Sequence, residues 1–209
     1  MNYPFYSLTL ITHKNNTPID QYLHFIHQCA IAGITALQLR EKQASYQECL
    51  ELGRQLKPIL ADFQIPLIVN DNVALAIELD AEGVHLGQTD TCPMRARQQL
   101  GDDKIIGLSI DSIQNLHTAN ELPIDYVGVG AIFPTETKQN VTTIWGLDGL
   151  TAMAPLSKHP IVAIGGINES NTEEVMHAGA HGIAVISAIH DAMNLAQTIK
   201  SIRQKIGEK

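Results

Sequence analysis

The chain has 209 residues, of which 44% are hydrophobic and 17% charged, and its net charge is −8. These values indicate a globular protein with one sizeable core, and the acidic balance excludes a basic surface for nucleic acid or anionic lipid. No apolar run approaches the ~20 residues of a membrane span, and the amino-terminal FYSLTLIT indicates a strand rather than a signal peptide. The cysteines Cys29, Cys49 and Cys92 lack metal-ligand spacing. We therefore expect a reduced, cytoplasmic protein.

Strand-like and helix-like segments alternate along the whole chain. The predicted strands cover residues 5–12, 35–40, 66–70, 82–87, 104–109, 125–130, 160–166 and 182–187. Eight such units with short connections predict a single (β/α)8 TIM barrel over residues 1–209. A doubly wound open sheet also alternates, but eight strands with no sign of an antiparallel edge favour closure. The sequence allows a homo-oligomer without specifying one.

Several local signals mark helix starts and a long connection. Ser45 to Glu48 and Ser170 to Glu173 both fit a capping box, and Thr17 precedes a proline that suits the first helical position. The longest connection runs from about Ala131 to Gly146. Loops of that length within a compact domain are often functional.

Polar residues fall where the predicted strands end, which is where barrel enzymes carry their reactive groups. Nearly every strand contributes a polar side chain or a glycine to this end: Gln38, Arg40, Lys42, Asn70, Asp71, Asp90, Ser109, Thr135, Thr137, Lys138, Gly166 and Ser187. The two-residue period of strand 2 places Gln38 and Arg40 on one face and Leu37 and Leu39 on the other. The joint placement predicts one site at the mouth of the barrel.

Three parts of this predicted site differ in chemistry. Arg40, Lys42 and Lys138 form a cationic group suited to phosphate. Asp71 and Asp90 end adjacent strands, and two carboxylates beside such cations suit Mg²⁺ with phosphate oxygens. Glycine-rich ends of strands 7 and 8 suit a second phosphate. Together they imply one substrate with a diphosphate and another with a monophosphate.

Each residue also has a purely structural interpretation. Arg40 and Lys42 could be solvated loop charges, and either aspartate could cap a helix. The Gly165-Gly166 pair could be only a tight turn. His85, which lies within a strand, is more often a satisfied barrel histidine than a base. The structural interpretations do not predict that all these residues share one end of the barrel.

Along nearly its whole length the chain resembles the thiamine phosphate synthase family. The similarity is carried by LQLREK (37–42), VNDN (69–72), GVHLGQTD (83–90), DYVGVGAIFPTETK (125–138), IVAIGGI (161–167) and GIAVISAI (182–189). The resemblance implies a barrel that joins hydroxymethylpyrimidine diphosphate and hydroxyethylthiazole phosphate into thiamine phosphate and pyrophosphate. It also implies Mg²⁺ dependence and a dissociative displacement, in which the bond to pyrophosphate breaks largely first.

The resemblance also implies roles for individual residues. Asp71 and Asp90 correspond to the Mg²⁺ ligands. The diphosphate and its departure are assigned to Arg40, Lys42, Asn70, Ser109 and Lys138. Gln38 corresponds to a contact with the aminopyrimidine, and the thiazole phosphate side is assigned to Thr135, Thr137, Gly166, Ile186 and Ser187.

Two positions depart from the family pattern, and three other functions stay open. Asn72 stands where the family usually has arginine, which removes a cation near the diphosphate, and Ala131 stands where proline is usual, which favours a looser loop. A thiazole tautomerase of the same barrel family would share the monophosphate site without needing the carboxylates. A non-catalytic thiamine-phosphate-binding protein would bind the product without turnover. A phosphate-binding isomerase of another pathway would need an acid/base pair instead of the diphosphate cluster.

Overall fold

The computed structural model describes residues 4–135 and 143–207. Eight parallel strands close into a barrel in the order of the sequence, β1 through β8, with β8 pairing with β1. The strands are β1 (Leu8–Ile11), β2 (Ala36–Leu39), β3 (Leu67–Asn70), β4 (Gly83–Leu86), β5 (Ile105–Ile110), β6 (Tyr126–Val129), β7 (Ile161–Ile164) and β8 (Gly182–Val185). The predicted (β/α)8 barrel is confirmed.

Helices follow the strands and surround the barrel. They are α1 (Ile19–Ala32), α2 (Tyr46–Ala61), α3 (Val73–Glu78), α4 (Pro93–Leu100), α5 (Ile113–Ala119), α6 (Gly146–Met153), α7 (Thr172–His177), α8 (Ser187–His190) and α9 (Leu195–Ile206). None of the helices within residues 4–135 and 143–207 has the length and apolar composition needed to cross a bilayer.

Apolar side chains form two separate cores. Alternate strand residues such as Leu37 and Leu39 point outward into the large core beneath the helices. The other face lines the barrel interior, where Ile11, Tyr126 and Val162 pack together. Gln38 lies on this inner face and is buried, as its two-residue spacing from the outward leucines predicts.

Of the two capping boxes predicted from the sequence, only one forms in the structure. The box at Ser45 is confirmed, since its side chain accepts from the Glu48 N–H while Glu48 reaches back to the Ser45 N–H. The box predicted at Ser170 is wrong. Its N–H and hydroxyl both donate to Asn168 Oδ1, at 2.8 and 2.6 Å, and α7 starts only at Thr172. The local turn around Asn168 therefore uses the groups that a capping box would need.

Helix α1 also begins differently from its sequence signal. Pro18 occupies the position before the helix rather than the first helical position, and no side chain caps the helix there.

Candidate functional site

The β3–α3 connection consists of two residues with distinct jobs. Asp71 adopts a left-handed backbone with φ of 64°, and its N–H donates to the His85 carbonyl at 2.8 Å. Asn72 then caps α3, because its Oδ1 accepts from the Leu75 N–H at 2.9 Å. The left-handed turn is uncommon for a side-chain-bearing residue, although aspartate tolerates it better than most. Asp71 lies at the mouth of the barrel with its side chain only partly exposed, and Asn72, not Asp71, is the helix cap.

The β4–α4 connection holds the second carboxylate. Asp90 Oδ2 accepts from the Gly87 N–H at 2.7 Å, which ties one carboxylate oxygen to the start of its own loop. The residue that precedes α4 is Cys92, so Asp90 does not cap that helix either. The helix-cap interpretation is thus removed for both aspartates.

The two carboxylates influence each other strongly. Burial among neighbouring groups and then the nearby Asp90, which is close enough for a hydrogen bond, raise the pKa of Asp71 to about 6. Arg40 and Lys42 act in the opposite direction and lower it. The structure therefore brings the predicted carboxylate pair and these two cations into one electrostatic cluster at the ends of β2, β3 and β4.

Backbone contacts set the position of Arg40. It follows β2 directly, and its N–H donates to the buried Thr12 Oγ1 at 2.8 Å. Burial lowers the pKa of the guanidinium from its ordinary value, while Asp71 and then Glu41 raise it. Lys42 is exposed two residues further on. Lys138 and Thr137, which complete the predicted cationic and thiazole sides, lie outside the described residues.

Protein side chains at this site could supply only part of the ligand shell of a magnesium ion. Within the described ranges, no cluster of three or more His, Cys, Asp or Glu side chains could hold a metal. Asp71 and Asp90 supply two carboxylates whose mutual repulsion a cation would relieve. Mg²⁺ commonly takes one or two carboxylates and completes its shell with phosphate oxygens and water. The pair therefore fits an ion that binds together with a phosphorylated substrate.

Ser109 lies on the barrel wall near the end of β5. Its Oγ is 2.9 Å from His85 Nε2, and its carbonyl accepts from Gln88 Nε2 at 2.6 Å. His85 Nδ1 is 2.9 Å from the Tyr126 hydroxyl. Both ring nitrogens of His85 therefore have hydrogen-bond partners, which agrees with its interpretation as a satisfied barrel histidine.

The other side of the mouth is built from backbone. Gly165 and Gly166 follow β7 with φ of 99° and 64°, and a Cβ on Gly166 would come within 2.6 Å of the Pro134 carbonyl oxygen. The Asn171 side chain donates to the Gly166 carbonyl at 3.0 Å. This pair is therefore more than a surface turn, because it packs tightly against the segment that follows β6.

Hydrogen bonds hold the segment around Ala131 in place. The Ala131 carbonyl accepts from the Trp145 N–H at 2.9 Å. The Ile132 and Phe133 N–H groups donate at 3.0 Å to the Ile164 and Gly165 carbonyls, at the carboxyl end of β7. Ala131 itself is buried. The described start of the long connection is thus held by the end of β7 and by the residues just before α6, and Thr135 follows it in sequence.

The remaining predicted contacts lie after β8. Ile186 directly follows this strand, and Ser187 is the first residue of the four-residue helix α8. N–H groups in the first turn of a helix have no partner within the helix. Because both residues follow the carboxyl end of β8, they lie at the same end of the barrel as Gly166.

Two features of the site are poorly visible in the sequence. In the sequence Asn72 signals only a missing arginine, whereas the structure gives it the capping role at α3. Tyr126 lies within the stretch 125–138 but was assigned no role from the sequence, yet it contacts His85 across the barrel interior. The available signal was the inward-facing register of β4, β5 and β6, which brings His85 beside Gly107 and Gly107 beside Tyr126.

The closed parallel strands, with polar groups at their carboxyl ends, define a (β/α)8 barrel with its candidate site at the mouth. A sequence model of the family described as thiamine monophosphate synthase matches residues 8–189. A thiamine-phosphate synthase of Chlamydia caviae is 49% identical over 204 residues, covering 98% of this chain and 96% of that relative. One of Vibrio campbellii is 43% identical over 184 residues, covering 88% and 90%.

A solved structure supports the same relationship. The thiamine phosphate pyrophosphorylase from Pyrococcus furiosus superposes with a TM-score of 0.86 at 33% identity, covering 98% of this chain and 96% of that one. The chain belongs to the thiamine monophosphate synthase family, and the protein is accordingly a transferase.

Proposed function

We propose that the protein condenses hydroxymethylpyrimidine diphosphate with hydroxyethylthiazole phosphate, giving thiamine phosphate and pyrophosphate in a Mg²⁺-dependent reaction. The observation that carries this proposal is the Asp71–Asp90 pair, which acts electrostatically with Arg40 and Lys42 at one side of the mouth. A carboxylate pair next to cations suits a metal-bound diphosphate.

The charged side would stabilise the leaving group. Asp71 and Asp90 would hold Mg²⁺, which when bound would neutralise charge on the diphosphate oxygens. Arg40 and Lys42 would bind the same oxygens, and Asn70 and Ser109 would donate hydrogen bonds to them. Lys138 is proposed for the same task on the strength of the family resemblance. Preorganised donors of this kind lower the barrier most when charge develops on a leaving group.

The displacement would be dissociative. The bond between the pyrimidine methylene carbon and the diphosphate oxygen breaks first, and its electron pair leaves with pyrophosphate. The thiazole nitrogen then donates its lone pair to the pyrimidine cation, forming the new carbon–nitrogen bond. This sequence needs close alignment of the two rings and a stabilised leaving group, but it does not need a strong base.

The backbone side would bind the thiazole phosphate. Gly166, Ile186 and Ser187 would offer N–H groups to its phosphate, and Thr135 and Thr137 would contact the same substrate. Gln38 is buried on the inner face of the barrel, where its amide could pair with the aminopyrimidine. The two substrates would then meet between the charged side and the backbone side.

The same cluster weighs against the other candidate functions. A thiazole tautomerase has no need of paired carboxylates beside cations, and neither does a protein that only binds the product. The three cysteines are free thiols in the structure, which supports the proposed cytoplasmic, reducing location.

A reconstitution assay tests the proposed function. Purified protein receives both precursors with Mg²⁺, and thiamine phosphate and pyrophosphate are followed together. We expect the two products in equal amounts, with turnover that stops when a chelator is added or either precursor is omitted. Folded protein that forms neither product would overturn the proposal, and conversion of the thiazole phosphate alone without metal would favour the tautomerase.

A further inference from the structure

Three polar side chains from adjacent strands form a continuous chain inside the barrel. Tyr126 Oη lies 2.9 Å from His85 Nδ1, and His85 Nε2 lies 2.9 Å from Ser109 Oγ. The Tyr126 side chain is buried, whereas Ser109 is only half-buried near the mouth. The chain therefore leads from the barrel interior towards the proposed diphosphate site.

Glycines on the inner face make room for this chain. A Cβ on Gly107 would lie 2.2 Å from the Tyr126 ring and 2.5 Å from His85 Nδ1. A Cβ on Gly128 would lie 2.8 Å from His85 Cε1. Any side chain at either position would displace the imidazole or the phenol. The backbone thus holds both rings closely from two neighbouring strands.

The donors and acceptors of Tyr126, His85 and Ser109 determine the direction of their hydrogen bonds. Burial raises the pKa of Tyr126 far above its ordinary value, so its hydroxyl keeps its proton at neutral pH. A buried hydroxyl that donates to nothing is costly, and His85 Nδ1 lies at hydrogen-bond distance from it. If Nδ1 accepts from Tyr126, the neutral imidazole carries its proton on Nε2. Nε2 then donates to Ser109 Oγ, and the serine proton must point elsewhere.

We propose that Tyr126 and His85 are positioning residues that orient the Ser109 hydroxyl, so that its proton is donated into the mouth of the barrel. There it would meet an oxygen of the departing pyrophosphate, a step that rests on the function proposed above. No proton is transferred; the chain selects one rotamer and one hydrogen-bond direction before the substrate binds. Such preorganisation avoids reorienting the donor as charge develops.

The tautomer of His85 tests the proposal without any substrate. Nitrogen-15 NMR of histidine-labelled, full-length protein distinguishes an Nε2–H from an Nδ1–H imidazole, and loss of one signal set in His85→Gln assigns the residue. We expect the Nε2–H form in the wild-type protein. In Tyr126→Phe we expect a substantial shift of population towards Nδ1–H. A wild-type His85 in the Nδ1–H form, or a tautomer unaffected by Tyr126→Phe, would overturn the proposal.

Tyr22→Phe is the matched control for the tautomer experiment. Tyr22 is equally buried, but its hydroxyl accepts from the His13 N–H outside the barrel interior. Its replacement removes a buried phenol hydroxyl but leaves the hydrogen bonds among Tyr126, His85 and Ser109 in place. We expect the His85 tautomer to stay as in the wild-type protein, whereas a shift equal to that in Tyr126→Phe would contradict the specific role of Tyr126.

Kinetics separate positioning from space filling. His85→Gln can still place an amide N–H near Ser109, whereas His85→Leu fills similar space without a donor. We expect His85→Leu to lower kcat about tenfold with little change in KM, and His85→Gln to recover most of that loss. Ser109→Ala should cost less in the His85→Leu background than in the wild type. Equal losses in both histidine variants, or additive losses with Ser109→Ala, would contradict the proposed positioning of Ser109 by His85.

The synthase assay and the tautomer measurement test the two proposals independently. Absence of synthase turnover in the wild-type protein would contradict the proposed function, and the tautomer measurement would still decide whether Tyr126 and His85 form the directed chain.

Discussion

The two sides of the barrel mouth are built by different means. The charged side, formed by Arg40, Lys42, Asp71 and Asp90 after β2, β3 and β4, presents ionised side chains at solvent-accessible positions. The backbone side, formed by Gly165, Gly166, Ile186 and Ser187 after β7 and β8, has two adjacent left-handed glycines against which the segment after β6 packs closely. The first depends on which side chains are present, and the second depends on where side chains are absent.

This difference determines how each side can be disrupted. On the charged side, an isosteric change that removes a charge should strongly lower turnover while the fold persists. On the backbone side, the addition of a single methyl group should disturb both binding and packing. Variants of each side test that contrast, and the largest effect is expected on the charged side.

Removal of the Asp71 charge should give the largest loss of activity. Asp71→Asn keeps the side-chain shape, and asparagine tolerates the left-handed backbone that Asp71 adopts. We expect kcat to fall by ~10²–10³-fold, because the variant would hold less firmly the Mg²⁺ that neutralises charge on the leaving group. Steady-state turnover at saturating Mg²⁺ measures the effect, and thermal unfolding checks that the fold remains intact.

Asp80→Asn provides the matched control for that loss. Asp80 is also a left-handed aspartate, with φ of 45°, but it lies in the connection before β4 at the opposite end of the barrel. In its ion pairs with Lys57 and Lys104 the Asp80 carboxylate stays exposed, so the pairs contribute little. We expect its turnover to match the wild type, and an equal loss in both variants would remove the special role of Asp71.

A methyl group on Gly166 should weaken both stability and binding of the thiazole phosphate. Its Cβ would lie 2.6 Å from the Pro134 carbonyl oxygen and 2.7 Å from Phe133 Cβ. We expect Gly166→Ala to destabilise the protein by ~2–4 kcal/mol, combining left-handed strain with overpacking, and to raise KM for the thiazole phosphate. Urea unfolding and initial rates at varied thiazole phosphate measure the two effects.

Gly146→Ala separates backbone strain from crowding. Gly146 has nearly the same φ, 63° against 64°, but a Cβ there meets nothing within 4 Å. We expect it to cost only the ~1–2 kcal/mol of the left-handed conformation and to leave KM unchanged. If the two variants behaved alike, close packing would not explain the backbone side.

Asn72→Arg should exchange a little stability for binding on the charged side. The arginine restores the usual family cation, but it removes the Oδ1 that caps α3. We expect a loss of ~1 kcal/mol in unfolding free energy and a several-fold tighter binding of Mg²⁺-pyrophosphate. Calorimetric titration and chemical unfolding report the two quantities.

Asn72→Asp gives the opposite combination at the same position. Aspartate caps a helix as well as asparagine does, so stability should be retained. The added negative charge should weaken pyrophosphate binding. Tighter binding in Asn72→Asp, or unchanged binding in Asn72→Arg, would show that position 72 does not sense the ligand's charge.

The pH dependence of stability should show the smallest effect. The pKa of Asp71 is raised from 3.8 to about 6 in the folded protein, so folding favours its protonated form. Its contribution to stability is therefore most favourable below pH 4, falls as the pH rises towards 6, and is constant above that. Because Asp71 is partly exposed, we expect a change of only about 1 kcal/mol or less.

The difference between the wild type and Asp71→Asn isolates this contribution. Chemical unfolding in the presence of a chelator, at pH 4 and at pH 7, should show the variant gaining relative stability as the pH rises. A wild-type protein that gained relative stability over the same interval would contradict the unfavourable carboxylate contact.

The stretch PLIVNDN, residues 66–72, shows how far the sequence alone reached. Its apolar part predicts strand β3, and Asn70 and Asp71 were predicted at the mouth, where the structure has them. The backbone conformation of Asp71 and the cap formed by Asn72 were not predicted. Both depend on how the strand end meets α3 and the His85 carbonyl.

By itself the sequence determined the alternation of strands and helices, the inward and outward faces of each strand, and the end at which polar residues collect. Side-chain period and the parallel topology of a barrel impose these features locally. Only the tertiary structure decided which polar groups meet. Tyr126 contacts His85 across 41 residues, and Asp71 and Asp90 repel each other across neighbouring strands. Such pairs depend on strand register and barrel closure, which no local pattern contains.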